Sequence, residues 1–195
     1  MTSIRYIQIF FGSVTFAIPV SIACMDIFGY VAKVEGSSMQ PVLNPKQQMQ
    51  KRSPTYDYVL LNKWKARNYD VNRGEIVSLI SPNNSDQKII KRIIGLQGDV
   101  VSTLHYKTNY VKIPDGQCWI EGDHHGQSLD SNYFGTVPIT LIQAKATHIV
   151  WPPSRWSRLQ SEARWDRVFS RIPPEDVKET LNSPRKQRRA KIIDS

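Results

Sequence analysis

Cysteine is scarce in this chain of 195 residues: Cys24 and Cys118 are the two present. Cys24 falls in an apolar N-terminal run and Cys118 in the polar body, so a bridge would require a thiol to leave lipid. Neither has metal-ligand spacing, which excludes a zinc ribbon or a disulfide scaffold and leaves the fold to its hydrophobic core. Repeats and low-complexity tracts are missing, and so is sustained helical periodicity beyond residue 31. Acidic residues are fewer than basic ones, 17 against 26, for a net charge of +9. The stretch from Arg155 to Ser195 holds eleven Lys and Arg against six Asp and Glu. More than half of the excess is therefore a property of the tail, which weakens a nucleic-acid-binding reading of the whole protein.

One long uncharged run is present. Tyr6 to Met25, bounded by Arg5 and Asp26, is 20 residues without a charge. At ~1.5 Å per residue a helix of that length reaches about 30 Å, the thickness of a bilayer's hydrocarbon core. The run predicts a retained single-span anchor over residues 1–30. A cleaved leader ending near Ser21-Ile22-Ala23 and a buried core helix are the competing readings.

After the anchor the chain reads as short strands broken by turn signals, which predicts a mainly β domain over 31–156. Strands are expected at Val31–Val34, Tyr58–Asn62, Glu75–Ile80, Lys88–Ile94, Val100–Leu104, Tyr110–Ile113, Gln117–Glu121 and Ala146–Trp151. Lys46–Thr55 has no apolar pattern and reads as an exposed loop. Trp156, Leu159, Ala163 and Val168 suggest a short amphipathic helix over Arg155–Val168. Beyond Pro173-Pro174 the chain is polar and basic, so 157–195 is read as a C-terminal helix followed by a disordered tail.

Ser38 follows the flexible Gly36-Ser37, and a serine hydroxyl attacks a carbonyl only with a base in reach. Lys91 lies in the isoleucine-rich strand Ile89–Ile94. Strand alternation puts Lys91 on the face of Ile89 and Ile93, where removal from water favours the neutral amine. A solvated Lys-Arg pair and an ordinary Gly-Ser turn are the bland readings. His124 and His125 admit a zinc site, a Ser-His-Asp triad using Ser38 or Ser128 with Asp123 or Asp130, or histidines in a surface turn.

Four segments together resemble the type I signal peptidase family. They are Ser38-Met39-x-Pro41, Arg73-Gly74-Glu75-Ile76-Val77, Lys91-Arg92-x-x-Gly95-x-x-Gly98-Asp99 and Gly122-Asp123-x-x-x-x-Ser128-x-Asp130-Ser131, in the family's order. The similarity runs from Val31 to Trp156 and is strongest to members at the mitochondrial inner membrane. The resemblance implies a signal-peptidase-like β-sheet domain with Ser38 as nucleophile and Lys91 as general base. Ser128 would orient the lysine, and Asp123, Asp130 and Ser131 would hold the third segment in place. Met39, Gly36 and Ile89 are the implied pocket residues. No metal or organic cofactor is implied. The expected partners are presequence-bearing proteins, membrane lipid and a related subunit in a heteromer, without nucleic acid. The expected place is a single-pass position with the domain facing the intermembrane space.

The chain departs from the family pattern at informative places. Gly36 stands where many bacterial members carry a serine that donates to the oxyanion. His125-Gly126 and Asn132 replace family arginine and aspartate positions, so the family's structural ion pairs are expected to be absent. These departures motivate an alternative, a stabilising subunit whose dyad is idle. Nucleic-acid binding through the basic tail is the third reading.

Overall fold

The computed structural model describes residues 29–50, 54–161 and 168–170, together with a helical fragment at 15 and 17–21. The span expected over Tyr6–Met25 lies mostly outside the described residues, and the tail from 171 onward wholly so. Among the described residues no helix is long and apolar enough to cross a membrane.

The domain is mainly β. In chain order the elements are β1 Gly29–Lys33, α1 Lys46–Met49, β2 Tyr58–Asn62, α2 Lys63–Arg67, β3 Ile76–Ser81, β4 Asn84–Leu96, β5 Asp99–Ser102 and β6 Tyr110–Lys112. They continue with β7 Gln117–Glu121, α3 Ser131–Phe134, β8 Val137–Pro138, β9 Ile142–Trp151, β10 Ser157–Arg158 and β11 Val168–Ser170. The large antiparallel sheet has the order β1-β2-β9-β3-β4-β7-β8, with β10 added on β9. A second sheet has the order β11-β5-β6.

Alternation along each strand decides which residues go inside. In β3 it fails, because that central strand is covered on both faces: Ile76, Val77, Ser78, Leu79 and Ser81 are all buried. One apolar cluster gathers Val34, Met39, Leu43, Val59, Leu61 and Ile149 near the start of the domain. A second packs Val77, Leu79, Ile93 and Ile120 with Ile89 at its margin. A third sets Trp119 and Ile94 against Val101 of the smaller sheet and Ile113 just after β6.

Among the described residues of Arg155–Val168, which leave out 162–167, the expected C-terminal helix is not found. Pro153–Arg155 is a single 3-10 turn, and Ser157–Arg158 and Val168–Ser170 are strands paired with β9 and β5. The physical reason is that Leu159 packs on the first cluster and Val168 in the third, while Trp156 is 72% exposed. These three residues face different surroundings instead of sharing one helical face. The folded body thus takes in residues 157–161 and 168–170 beyond 156. The loop expected at Lys46–Thr55 also begins with helix α1, whose Gln48 is buried. The amide of Gln48 donates to Asp57 Oδ1 at 3.1 Å and to the carbonyl of Thr55.

The turn between β1 and α1 is fixed by Asn44, fully buried at φ 50°. Asparagine tolerates this left-handed conformation better than branched or bulky residues. Its N–H donates to Asp57 Oδ2 at 2.7 Å, its Nδ2 to the Val34 carbonyl at 2.8 Å, and its Oδ1 accepts from the Asp57 N–H at 2.8 Å. Arg155 Nη2 lies 3.3 Å from Asp57 Oδ2 and donates to the Val42 carbonyl at 2.7 Å. Asn44→Ala is expected to lower stability by roughly 2–4 kcal/mol, from a strained φ and newly unpaired buried groups. Urea unfolding of the detergent-solubilised full chain checks this.

Candidate active site

Strand β4 presents two cations to two different faces. Arg92 is 1% exposed, and its Nε and Nη2 donate to the two carboxylate oxygens of Asp123 at 2.8 Å each. Its Nη1 donates to the carbonyls of Gly74 at 2.7 Å and Gln160 at 3.2 Å. This buried fork joins the turn before β3, β4, the segment after β7 and the segment after β10. The expectation that structural ion pairs are absent is therefore corrected. It looked for an arginine inside the third segment, whereas the arginine comes from β4.

Lys91 points the other way, stands opposite Val77, and is 3% exposed. Its Nζ donates to Ser128 Oγ at 2.9 Å. Burial pushes its pKa down from 10.5, and the nearby Asp130 carboxylate offsets part of that shift. A lysine so placed is a stronger candidate base than one on the surface, because more of it is neutral at a given pH.

Ser128 is delivered by the chain that follows β7, and Gly122 decides how closely. A Cβ at Gly122 would stand 2.3 Å from Ser128 Oγ and 2.4 Å from the Ser38 carbonyl oxygen. No side chain fits there. The His124 N–H donates to that same Ser38 carbonyl at 3.0 Å. Asp130 caps α3 through the Asn132 N–H and accepts from the Gly122 N–H at 2.9 Å. Ser131 Oγ accepts from the Ile120 N–H at 3.0 Å. Both residues hold backbone, and both are buried.

Ser38 lies in the turn after β1, and it lines a groove of about 550 Å³ together with Lys91. Gly36, Met39 and Ile89 line the same groove. Gly36 has φ 88°, a conformation that favours glycine, and Met39 is also part of the core. Ser38 and Lys91 are not hydrogen-bonded to each other among the described contacts. The hydroxyl of Ser128 is paired with lysine and not with histidine, so the triad through Ser128 is not the arrangement found. Among the described residues no group of three His, Cys, Asp or Glu is placed to hold a metal ion.

Asn44 and Asp57 were not singled out from the sequence, and Asn132 only as a departure from the family pattern. Asn132 donates to Glu121 Oε1 at 3.0 Å and accepts from the Leu104 N–H at 2.9 Å. These are long-range partnerships of ordinary polar residues, and neither spacing nor periodicity marks them.

The family model for "Signal peptidase, peptidase S26" matches residues 6–107 and 101–151. The chain belongs to that family. A zebrafish (Danio rerio) protein named mitochondrial inner membrane protease subunit 2 is 53% identical over 84% of this chain and 86% of its own. The mouse (Mus musculus) protein of that name is 57% identical over 74% and 80%. A Schizosaccharomyces pombe protein named mitochondrial inner membrane protease subunit 1 is 34% identical over 72% and 90%. A signal peptidase I crystal structure from Enterococcus faecalis V583 aligns at TM-score 0.33 and 24% identity, over 38% of this chain and 95% of that one. The sequence matches carry the assignment: the chain is a signal-peptidase-type protease whose relatives are named for the mitochondrial inner membrane.

In this signal peptidase the contact of Gly122 with both Ser38 and Ser128 makes a sharp test. Gly122→Ala must push one of them aside, and displacement by about 1 Å costs on the order of 100-fold in rate. Peptide cleavage by the variant is expected to fall at least about that far, while its urea midpoint shifts much less than that of Asn44→Ala.

Proposed function

We propose that this chain is a membrane-bound serine endopeptidase working through a Ser38–Lys91 dyad. The neutral amine of Lys91 takes the Ser38 proton as the hydroxyl oxygen attacks the scissile carbonyl. The resulting ammonium then protonates the leaving amine, and an acyl-enzyme remains on Ser38. Water, activated by the same amine, releases the acyl group and restores the serine. Ser128 holds the lysine by its hydrogen bond, and the N–H of Ser38 donates to the developing oxyanion, a kind of contact worth ~10²–10³ in rate. In contact with the substrate Gly36 offers its backbone but no hydroxyl.

The observation that best supports this reading is the withdrawal of Lys91 from water beside a hydroxyl partner, in the groove that Ser38 also lines. No direct Ser38–Lys91 bond is required in the free enzyme, because catalytic contacts often tighten only when substrate is bound. The substrates fitting this reading are sorting presequences of proteins delivered to the mitochondrial intermembrane space, with small side chains at positions −1 and −3. A related subunit 1 is the partner, and the anchor over 1–30 holds the domain on the intermembrane-space side. The rival reading, a stabilising subunit with an idle dyad, draws on the missing hydroxyl at Gly36.

Processing in mitochondria carrying Ser38→Ala or Lys91→Met separates the two. Both variants are expected to accumulate precursor while the abundance of each subunit stays normal on a blot. Normal processing with either variant would leave the stabilising role as the better reading.

A further inference from the structure

Strand β4 has an unused edge beside the groove. Its residues 88–92 and Asn84 pair with β3, but on the other side β7 engages it only from Arg92 onward. From Asn84 to Lys91 the edge away from β3 is therefore open to an added strand. Alternation puts Lys91 and Ile89 on one face, about 6.6–6.8 Å apart, and Gln87 is the first residue beyond the last regular pair, Ile80–Lys88. All three line the groove. Two of them belong to the proposed mechanism and to its pocket, and Gln87 belongs to neither.

Ser81 shares that face. Val77 is opposite Lys91 and Leu79 opposite Ile89, so an unbroken ladder would set Ser81 opposite Gln87. Instead the register slips: Ile80 pairs with Lys88, but Ser81 pairs with Asn84. The slip leaves Gln87 out of the ladder and opens the groove beside Ser81. Ser81 is 6% exposed and lines the groove. Neither its hydroxyl nor the Gln87 amide has a hydrogen-bond partner among the described residues. The Ser81 hydroxyl, on a residue otherwise buried, and the amide of the exposed Gln87 both face the open groove and form an uncharged polar pair on a wall of mixed polar and apolar residues.

We propose that Ser81 and Gln87 form a polar subsite for the substrate residue five positions before the scissile bond, selecting a neutral amide or hydroxyl side chain there. This rests on the proposed function and adds to it that a substrate strand lies along the open edge of β4 with residues −1 and −3 beside Lys91 and Ile89. A substrate strand keeps the period of two, so the next side chain on that face is −5, and −4 points away. An apolar side chain at −5 would leave both polar groups without protein partners, whereas asparagine, glutamine, serine or threonine would pair with them.

The test uses the full chain in its native complex, solubilised in detergent, with peptides differing only at one position. With Asn against Leu at −5, wild type is expected to prefer Asn by roughly 3–10-fold in kcat/KM, the range of a neutral hydrogen bond or two. The same exchange at −4 is expected to change little. In Ser81→Ala and in Gln87→Leu the Asn-to-Leu ratio at −5 is expected to fall toward one, and Gln87→Asn to retain part of it. Equal rates at −5 in wild type, a ratio unchanged in both variants, or a larger preference at −4 would each overturn the subsite. Ratios are taken within each cleaving enzyme, so they are independent of the Ser38→Ala result. Cleavage surviving in Ser38→Ala would defeat the dyad, and a lost −5 preference in an active enzyme would defeat only the subsite.

Discussion

Taking an ammonium group out of water costs several kcal/mol unless an anion or a set of hydrogen bonds replaces its hydration. Strand β4 treats its two adjacent cations in opposite ways. Arg92 receives a bidentate carboxylate and two backbone carbonyls, so its charge is fully compensated inside the protein. Lys91 receives a single hydroxyl, with the Asp130 carboxylate acting on it only as a weaker, opposing influence. Because the two point to different faces, the ion pair that locks the strand does not reach the lysine. This separation allows a dry, under-compensated lysine to exist in a stable sheet. Its linkage has a definite sign. With the folded pKa below 10.5, the protonated lysine opposes folding, so stability rises as pH climbs through the folded pKa towards the unfolded value.

The rest of the site follows from bringing two chain segments to that lysine. Gly122 allows the Ser38 carbonyl and the Ser128 hydroxyl to meet at one point, and Asp130 fixes Gly122 from the other side. The turn carrying Ser38 is held at its base by the Asn44–Asp57 exchange, with Arg155 closing over Asp57. Arg92, bonded to the Gln160 carbonyl, connects the segment after β10 to the same strand. A substitution in any of these places acts on a position and not only on stability.

Much of the fold was legible because strands of this kind advertise themselves. Gln117–Glu121 and Tyr58–Asn62 coincide with β7 and β2, and the isoleucine-rich segment falls within β4. The alternation that set Lys91 apart from Arg92 was also readable, since a period of two needs no tertiary information. Among the described residues 155–161 and 168–170 the C-terminal helix was not there, because Leu159 and Val168 are claimed by separate clusters, a fact of tertiary packing that overrides local pattern. The partner of Asp123 was hidden for a related reason: it lies 31 residues away on a neighbouring strand. Asn44 gave no signal at all, since a lone asparagine before proline looks like any turn.

The most direct measurement is the titration of Lys91 itself, by NMR of a selectively labelled lysine ammonium in the full-length Ser38→Ala chain. A midpoint well below 10.5, moving further down in Asp130→Asn, is the expected result. A midpoint at or above 10.5 would mean that the amine is held in its charged form, and a Ser38–Lys91 dyad would then lack its base.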